Sequence, residues 1–199
     1  TVSDLNQMAG FEAFSQQNFN IVSTRNFHAI YNVSCVLRAM PEILAVHPEA
    51  RLFLAGKGPE EAALRALCEE LGLVDAVAFV GHLDQASMPV MLAAMDAYVS
   101  TATSDAGIAS STAEAMACGV PVLITDVYEN GDWIDGGRAG FLFAEGDASG
   151  LAAAVKALAA MNEADRQQMA FCARKKICDE NEWMSEMRRM EGLLGQLVA

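Results

Sequence analysis

A chain of 199 residues that is 53% hydrophobic and 20% charged is long enough for one well-buried domain and too apolar for intrinsic disorder. Its formal net charge of -13 works against general nucleic-acid binding, which needs a basic surface to displace counterions from phosphates. No run approaches the roughly 18 uncharged apolar residues of a membrane span, and the start TVSDLNQMAG lacks the form of a signal peptide. A cytoplasmic protein is expected, with membrane association possible but not indicated.

In chain order, residues 1–18 show no clear period and read as a connecting segment, although Phe11 and Phe14 lie within it. Apolar, β-rich runs then alternate with helical spacing. The predicted strands are 19–24, 50–56, 76–81, 97–100, 120–125 and 140–143; the predicted helices between them are 33–46, 60–71, 87–95 and 111–118. Pro41 and Pro89 blur two of the helix boundaries. Residues 148–161 are again helical, and 161–199 read as helices without another strand, which pack around the sheet or reach another domain and are counted in one domain spanning 19–199. The five cysteines, Cys35, Cys68, Cys118, Cys172 and Cys178, are odd in number, scattered and without C-x-x-C spacing. Neither a disulfide framework nor a zinc site is indicated, and the thiols are expected to be reduced and mostly buried.

Short apolar strands alternating with helices imply a parallel sheet covered on both faces, because each parallel connection needs a crossover long enough to hold a helix. The expected fold class is α/β, a Rossmann-like three-layer αβα sandwich with a mainly parallel sheet. Ligands of such sheets bind beyond the carboxyl ends of the strands, so the strand-to-helix loops carry the information. STRNFHAIYN places Arg25 just past the first strand; GKGPEEAAL supplies Gly56 and Lys57 after the second; GHLDQASM supplies Gly81 and His82 after the third. After the fourth comes SDAGIASSTAEAMACGVPVLITD, residues 104–126, in which Asp105, Ala106, Gly107, Ser110, Ser111 and Thr112 precede or open a helix carrying Glu114 in its expected first turn. Glycines let a ligand approach backbone, and the hydroxyls can cap the helix or touch a phosphate. Neither a G-x-x-x-x-G-K-[ST] loop nor a first-loop G-x-G-x-x-G is present, which argues against ATPase and dinucleotide readings.

STRNFHAIYN, ARLFLAGKGPEEAALRALCEELGLVDAVAFVGHL, MDAYVSTATSDAGIASSTAEAMACGVPVLITD and GGRAGFLF, in that order and spacing over residues 19–160, resemble the C-terminal, donor-binding half of retaining GT-B glycosyltransferases. The resemblance implies a nucleoside-diphosphate sugar as co-substrate, no metal or other cofactor, and an N-terminal acceptor-binding domain outside this chain. It places Arg25 at the diphosphate, the N–H groups around 106–112 at phosphate and sugar, and Glu114, the second acid of an E-x(7)-E motif, at the ribose hydroxyls. Gly56, Lys57, Gly81 and His82 would border the base and ribose.

Two positions depart from the pattern. Where the family has a lysine six residues after the strand-end arginine, this chain has Tyr31, and counting back from Glu114 the first acid falls on Ala106, with Asp105 one residue out of register. Asp105 remains the candidate for the catalytic, sugar-facing acid. Each residue also has a plainer reading: Arg25 as partner of a surface carboxylate, Glu114 as a helix-start acid, His82 as an ordinary loop histidine, Lys57 as solvated. The function expected is hexose transfer from an NDP-sugar with retention; the alternative is a catalytically retired domain that binds nucleotide sugars or assembles with partners. A sugar-nucleotide epimerase fits EAMACGVPV less well.

Overall fold

In a computed structural model, residues 11–12, 14–105 and 107–180 are described. The apolar runs become six strands, β1 Asn20–Ser23, β2 Arg51–Leu54, β3 Val77–Phe79, β4 Ala97–Ser100, β5 Val122–Thr125 and β6 Gly140–Phe143. All neighbours pair in parallel, in the order β3-β2-β1-β4-β5-β6. The described helices are α1 Val33–Leu44, α2 Glu61–Glu70, α3 Ser87–Leu92, α4 Ser110–Ala117, α5 Asn130–Ile134, α6 Ala148–Ala160 and α7 Glu163–Glu180. Pro41 lies inside α1 without ending it, its ring exposed while Met40 and Ile43 stay buried. Pro89 sits in the first turn of α3, where a missing N–H costs nothing.

Because side chains alternate along a strand, the sheet feeds two cores. Ile21, Leu52, Leu54, Val99 and Leu123 pack with α1, α2 and α6. Val22, Phe53, Tyr98, Val122 and Ile124 face α3, α4, α5 and α7. Helix α7 presents Met169, Ala173 and Ile177 at four-residue spacing, and its inner face lies on α4. The segment expected to be a connector contributes to the second core as well: Phe11 and Phe14 are 0% and 6% exposed, and Phe11 stacks on Phe53 with ring centroids 5.2 Å apart. Isolated aromatics carry no period, so their burial was not visible in the pattern. All five cysteines are free, but only Cys35 and Cys68 are buried. Cys118 and Cys172 are half-buried and Cys178 is exposed, which corrects the expectation that most would be interior. Of the helical tail expected over 161–199, residues 181–199 lie outside the described residues, as does Ala106.

Strand order reverses between β1 and β4, the place where ligands of such sheets bind. The end of the β1 loop is stitched to the start of the β4 loop: Thr101 Oγ1 lies 3.0 and 2.9 Å from the carbonyls of Tyr31 and Asn32, and the Thr103 N–H donates to Ile30 at 2.9 Å. Thr125, at the end of β5, donates from Oγ1 to the Ala102 carbonyl at 2.6 Å. These bonds fix the base of the β4 loop.

Candidate functional site

The crevice at the reversal is built around Arg25. Its Nη2 donates to Asp105 Oδ1 at 2.6 Å, and the two side chains are 7% and 9% exposed. Its Nη1 donates to Ser111 Oγ at 3.2 Å, which also accepts from Tyr98 Oη at 2.9 Å. The Tyr31 ring covers one guanidinium face, 4.2 Å from Cζ to the ring centroid, a cation–π contact. Three contributors, from the β4 loop, α4 and the 3-10 turn Ala29–Tyr31, therefore hold one cation, and Tyr98 of β4 braces one of them, Ser111. The backbone beneath it is equally constrained: Gly56 and Gly58 press against the Arg25 and Phe27 carbonyls, where a Cβ on either glycine would collide with main chain. Phe27 N donates to the Lys57 carbonyl at 3.0 Å and Glu60 N to Phe27 at 3.1 Å.

The start of α4 faces the same crevice. Its N-cap is Ala109 (φ -63°, ψ 136°), with no side-chain capping bond. The expectation that the hydroxyls cap this helix is corrected: Ser111 Oγ is engaged by Arg25 and Tyr98, and Thr112 is buried. Among the described residues, no hydrogen bond uses the N–H groups of Ser110, Ser111 and Thr112. Three donors at the positive end of a helix dipole are thus unspent, the arrangement that receives anions. Gly107 precedes them at φ +71°, a left-handed conformation suited to glycine, with nothing within 4 Å of where a Cβ would stand.

Glu114 falls on the fifth residue of α4, because the helix starts at Ser110 rather than Ser111, so it is not a first-turn acid. It is exposed, and among the described residues its carboxylate has no hydrogen bond or ion pair. Lys57 is exposed, its Cε 3.7 Å from the Cβ position of Gly81, and His82 beside it is also exposed. The structure thus gathers Arg25, Asp105 and Ser111 into one cluster and sets Lys57, Gly81 and His82 at the β2–β3 side. Gly56 lies behind Arg25 as a packing residue. Tyr98 was missed by sequence reading; a tyrosine inside an otherwise apolar strand, whose hydroxyl must find a partner, was the available signal. Also unanticipated are four buried polar atoms without partners at the ends of β1 and β4: Ser23 Oγ, Thr24 Oγ1, Arg25 Nε and Ser100 Oγ.

A parallel doubly wound sheet with helices on both faces, its strand order reversing between β1 and β4, defines an α/β domain of the Rossmann-like class. The family described as Glycosyl transferases group 1 matches residues 6–176. The chain is 29% identical over 150 residues to a Mycobacterium tuberculosis protein named glycogen synthase, covering 75% of this chain and 36% of that one. It is 30% identical over 149 residues to the N-acetyl-alpha-D-glucosaminyl L-malate synthase of Bacillus anthracis, covering 75% and 38%. Among solved structures, sucrose-phosphate synthase from Thermosynechococcus elongatus superposes with a TM-score of 0.83 at 24% identity, covering 98% of this chain and 49% of that one. Anabaena HepE, solved in complex with UDP-glucose, superposes with a TM-score of 0.84 at 20% identity, covering 98% and 52%. This chain belongs to the glycosyl transferases group 1 family and folds as the C-terminal Rossmann-like domain of a GT-B glycosyltransferase. It spans little more than a third of the length of those two curated relatives. Among the described residues no helix is long and apolar enough to cross a membrane.

Proposed function

We propose that this domain binds a nucleoside-diphosphate sugar at the β1/β4 reversal and, within the complete protein, supports transfer of the hexose to an acceptor with retention of configuration. The observation that carries the reading is the pairing of Arg25 with the three unspent N–H groups of α4 across one crevice. Breaking the anomeric C–O bond builds negative charge on the departing diphosphate, and fixed positive potential there stabilises it without reorganisation. In this reading Arg25 and the N–H groups of Ser110, Ser111 and Thr112 hold the diphosphate. Glu114, exposed and unpaired among the described residues, accepts the ribose hydroxyls. Gly107 lies along the sugar, and Lys57, Gly81 and His82 border the base. No metal ion is needed, since the charge is met by protein donors. An acceptor domain would lie opposite the strand ends. The UDP-glucose complex of HepE, a protein of the same fold, supports a nucleotide sugar as the ligand.

Calorimetry with a panel of UDP-, GDP- and ADP-sugars tests the reading: one of them binds, and Arg25→Ala and Glu114→Ala each weaken it. Absence of binding by the whole panel, or indifference to both substitutions, contradicts it. A second reading, a domain that binds the nucleotide sugar but no longer supports transfer, is favoured by Tyr31, whose neutral ring occupies Arg25's face where the family resemblance leads one to expect a lysine. Transferase activity of the complete protein excludes it.

A further inference from the structure

Arg25 is the cation of this crevice, yet its charge is already met by a carboxylate and its side chain is almost wholly buried. One N–H of Nη2 donates to the Asp105 carboxylate and one of Nη1 to Ser111, the Tyr31 ring covers one guanidinium face, and Nε, without a partner among the described residues, is buried. Tyr31 and Ser111 carry no charge, so Asp105 alone balances the guanidinium among the groups that touch it. A phosphate therefore meets a guanidinium already neutralised, and gains the full charge of Arg25 by taking the place of Asp105. We propose that Asp105 is a built-in competitor of the ligand's phosphate: in the empty domain it neutralises Arg25, and diphosphate binding displaces it. This rests on the reading of the crevice as a nucleotide-sugar site and assigns Asp105 a role in setting phosphate affinity rather than in holding the sugar.

The loop is built for such an exchange. Its base is pinned, Thr103 N to the Ile30 carbonyl at 2.9 Å, and its far end runs into α4. Between them, beyond Asp105, stands Gly107 at φ +71° with open space about it. The one-residue offset in the sequence is consistent with this role. An acid at 106 would be in register with Glu114, whereas the acid at 105 is turned onto Arg25, 80 residues away in sequence. When phosphate arrives, the carboxylate must leave, because two anions cannot share one guanidinium edge in a buried site without strong repulsion. The unspent N–H groups of α4 then supply the remaining donors.

The test uses the full chain, UDP, GDP and ADP as probes, and Asp105→Asn, which keeps the shape and an acceptor oxygen but removes the charge. Asp105→Asn should bind the preferred nucleoside diphosphate at least about tenfold more tightly, a usual scale for coupling between competing groups, and the corresponding nucleoside with unchanged affinity. In an Arg25→Ala background the substitution should have no effect. In the wild type, the Asp105 carboxyl 13C signal should shift on saturation with diphosphate, a readout that does not depend on the variant folding. Unchanged or weaker diphosphate binding by a folded Asp105→Asn, or a stationary carboxyl signal in saturated wild type, overturns the proposal while leaving the donor-site reading standing. Loss of affinity confined to the sugar-bearing nucleotide also overturns it and returns Asp105 to the sugar. No binding of any probe to either protein removes the donor-site reading, and this proposal with it.

Discussion

Gly56→Ala probes how the fold aims Arg25. Gly56 is buried, and a methyl there would overlap the Arg25 carbonyl oxygen and stand 3.2 Å from Phe27 Cε1. The obstacle cannot swing aside as a side chain would. The two chains are tied on either side of the contact, by Ala55 N to Ser23 O at 2.9 Å and Phe27 N to Lys57 O at 3.0 Å. Overpacking of this kind costs about 1–3 kcal/mol, and for a chain of this size each kcal/mol lowers Tm by about 2–4 °C. The expected fall is therefore about 2–12 °C. The strain is relieved by moving residues 24–26, so Arg25 shifts relative to α4 and diphosphate affinity falls too. Differential scanning calorimetry and a nucleotide titration on the same preparation measure both. A variant that melts within about 1 °C of wild type and binds nucleotide normally would refute the backbone-contact account of Gly56 and restore it to the ligand-lining role.

Phe11→Ala removes a fully buried ring stacked on Phe53 and should cost about 3–5 kcal/mol in urea or thermal unfolding; a change under about 0.5 kcal/mol would return the segment before β1 to a connector. Glu114→Gln should leave Tm within about 1 °C, since the side chain is exposed, yet weaken nucleotide binding about tenfold or more by replacing charged acceptors at the ribose; a loss of stability with unchanged binding would contradict the assignment. The Asp96 carboxyl, which accepts from Asn20 N at 2.7 Å, is raised above its ordinary 3.8, mainly by burial. The folded state then binds its proton more tightly than the unfolded state, so this group's stabilisation is fully present at acid pH and lost as pH rises through the folded value. The Tm of Asp96→Asn minus that of wild type should accordingly increase as pH rises from about 4 to about 7, and a flat difference would contradict the raised value.

Where burial on a regular element decides structure, the sequence was readable. All six strands stand within the predicted runs, because each is a short stretch dominated by apolar residues, wholly buried in β1, β4 and β5 and part-buried in β3 and β6. Helix α5 was not anticipated: its five residues are too few to show a period and include Gly131 and Asp132, and it is held by Ile134 in the core and by Asn130 Nδ2 donating to the Thr125 carbonyl at 2.9 Å. The site residues were legible as positions but not as partners. Arg25 meets Asp105 because β4 inserts beside β1, and the alternation of strands and helices does not reveal strand order. For the same reason Ser111 read as a cap; its competing partners are Arg25, just past the end of β1, and Tyr98, within β4. The departures at Tyr31 and Asp105 look unrelated along the chain. In space both lie against one guanidinium.

The central claim is that the β1/β4 crevice receives a nucleoside diphosphate. Amide NMR of the labelled chain, titrated with UDP, GDP and ADP, tests it most directly. At least one nucleotide should shift the N–H signals of Gly107, Ser110, Ser111 and Thr112 together with the Arg25 side chain, and Arg25→Ala should abolish those shifts. Binding that perturbs other surfaces while these signals stay still, or that persists undiminished in Arg25→Ala, would contradict it.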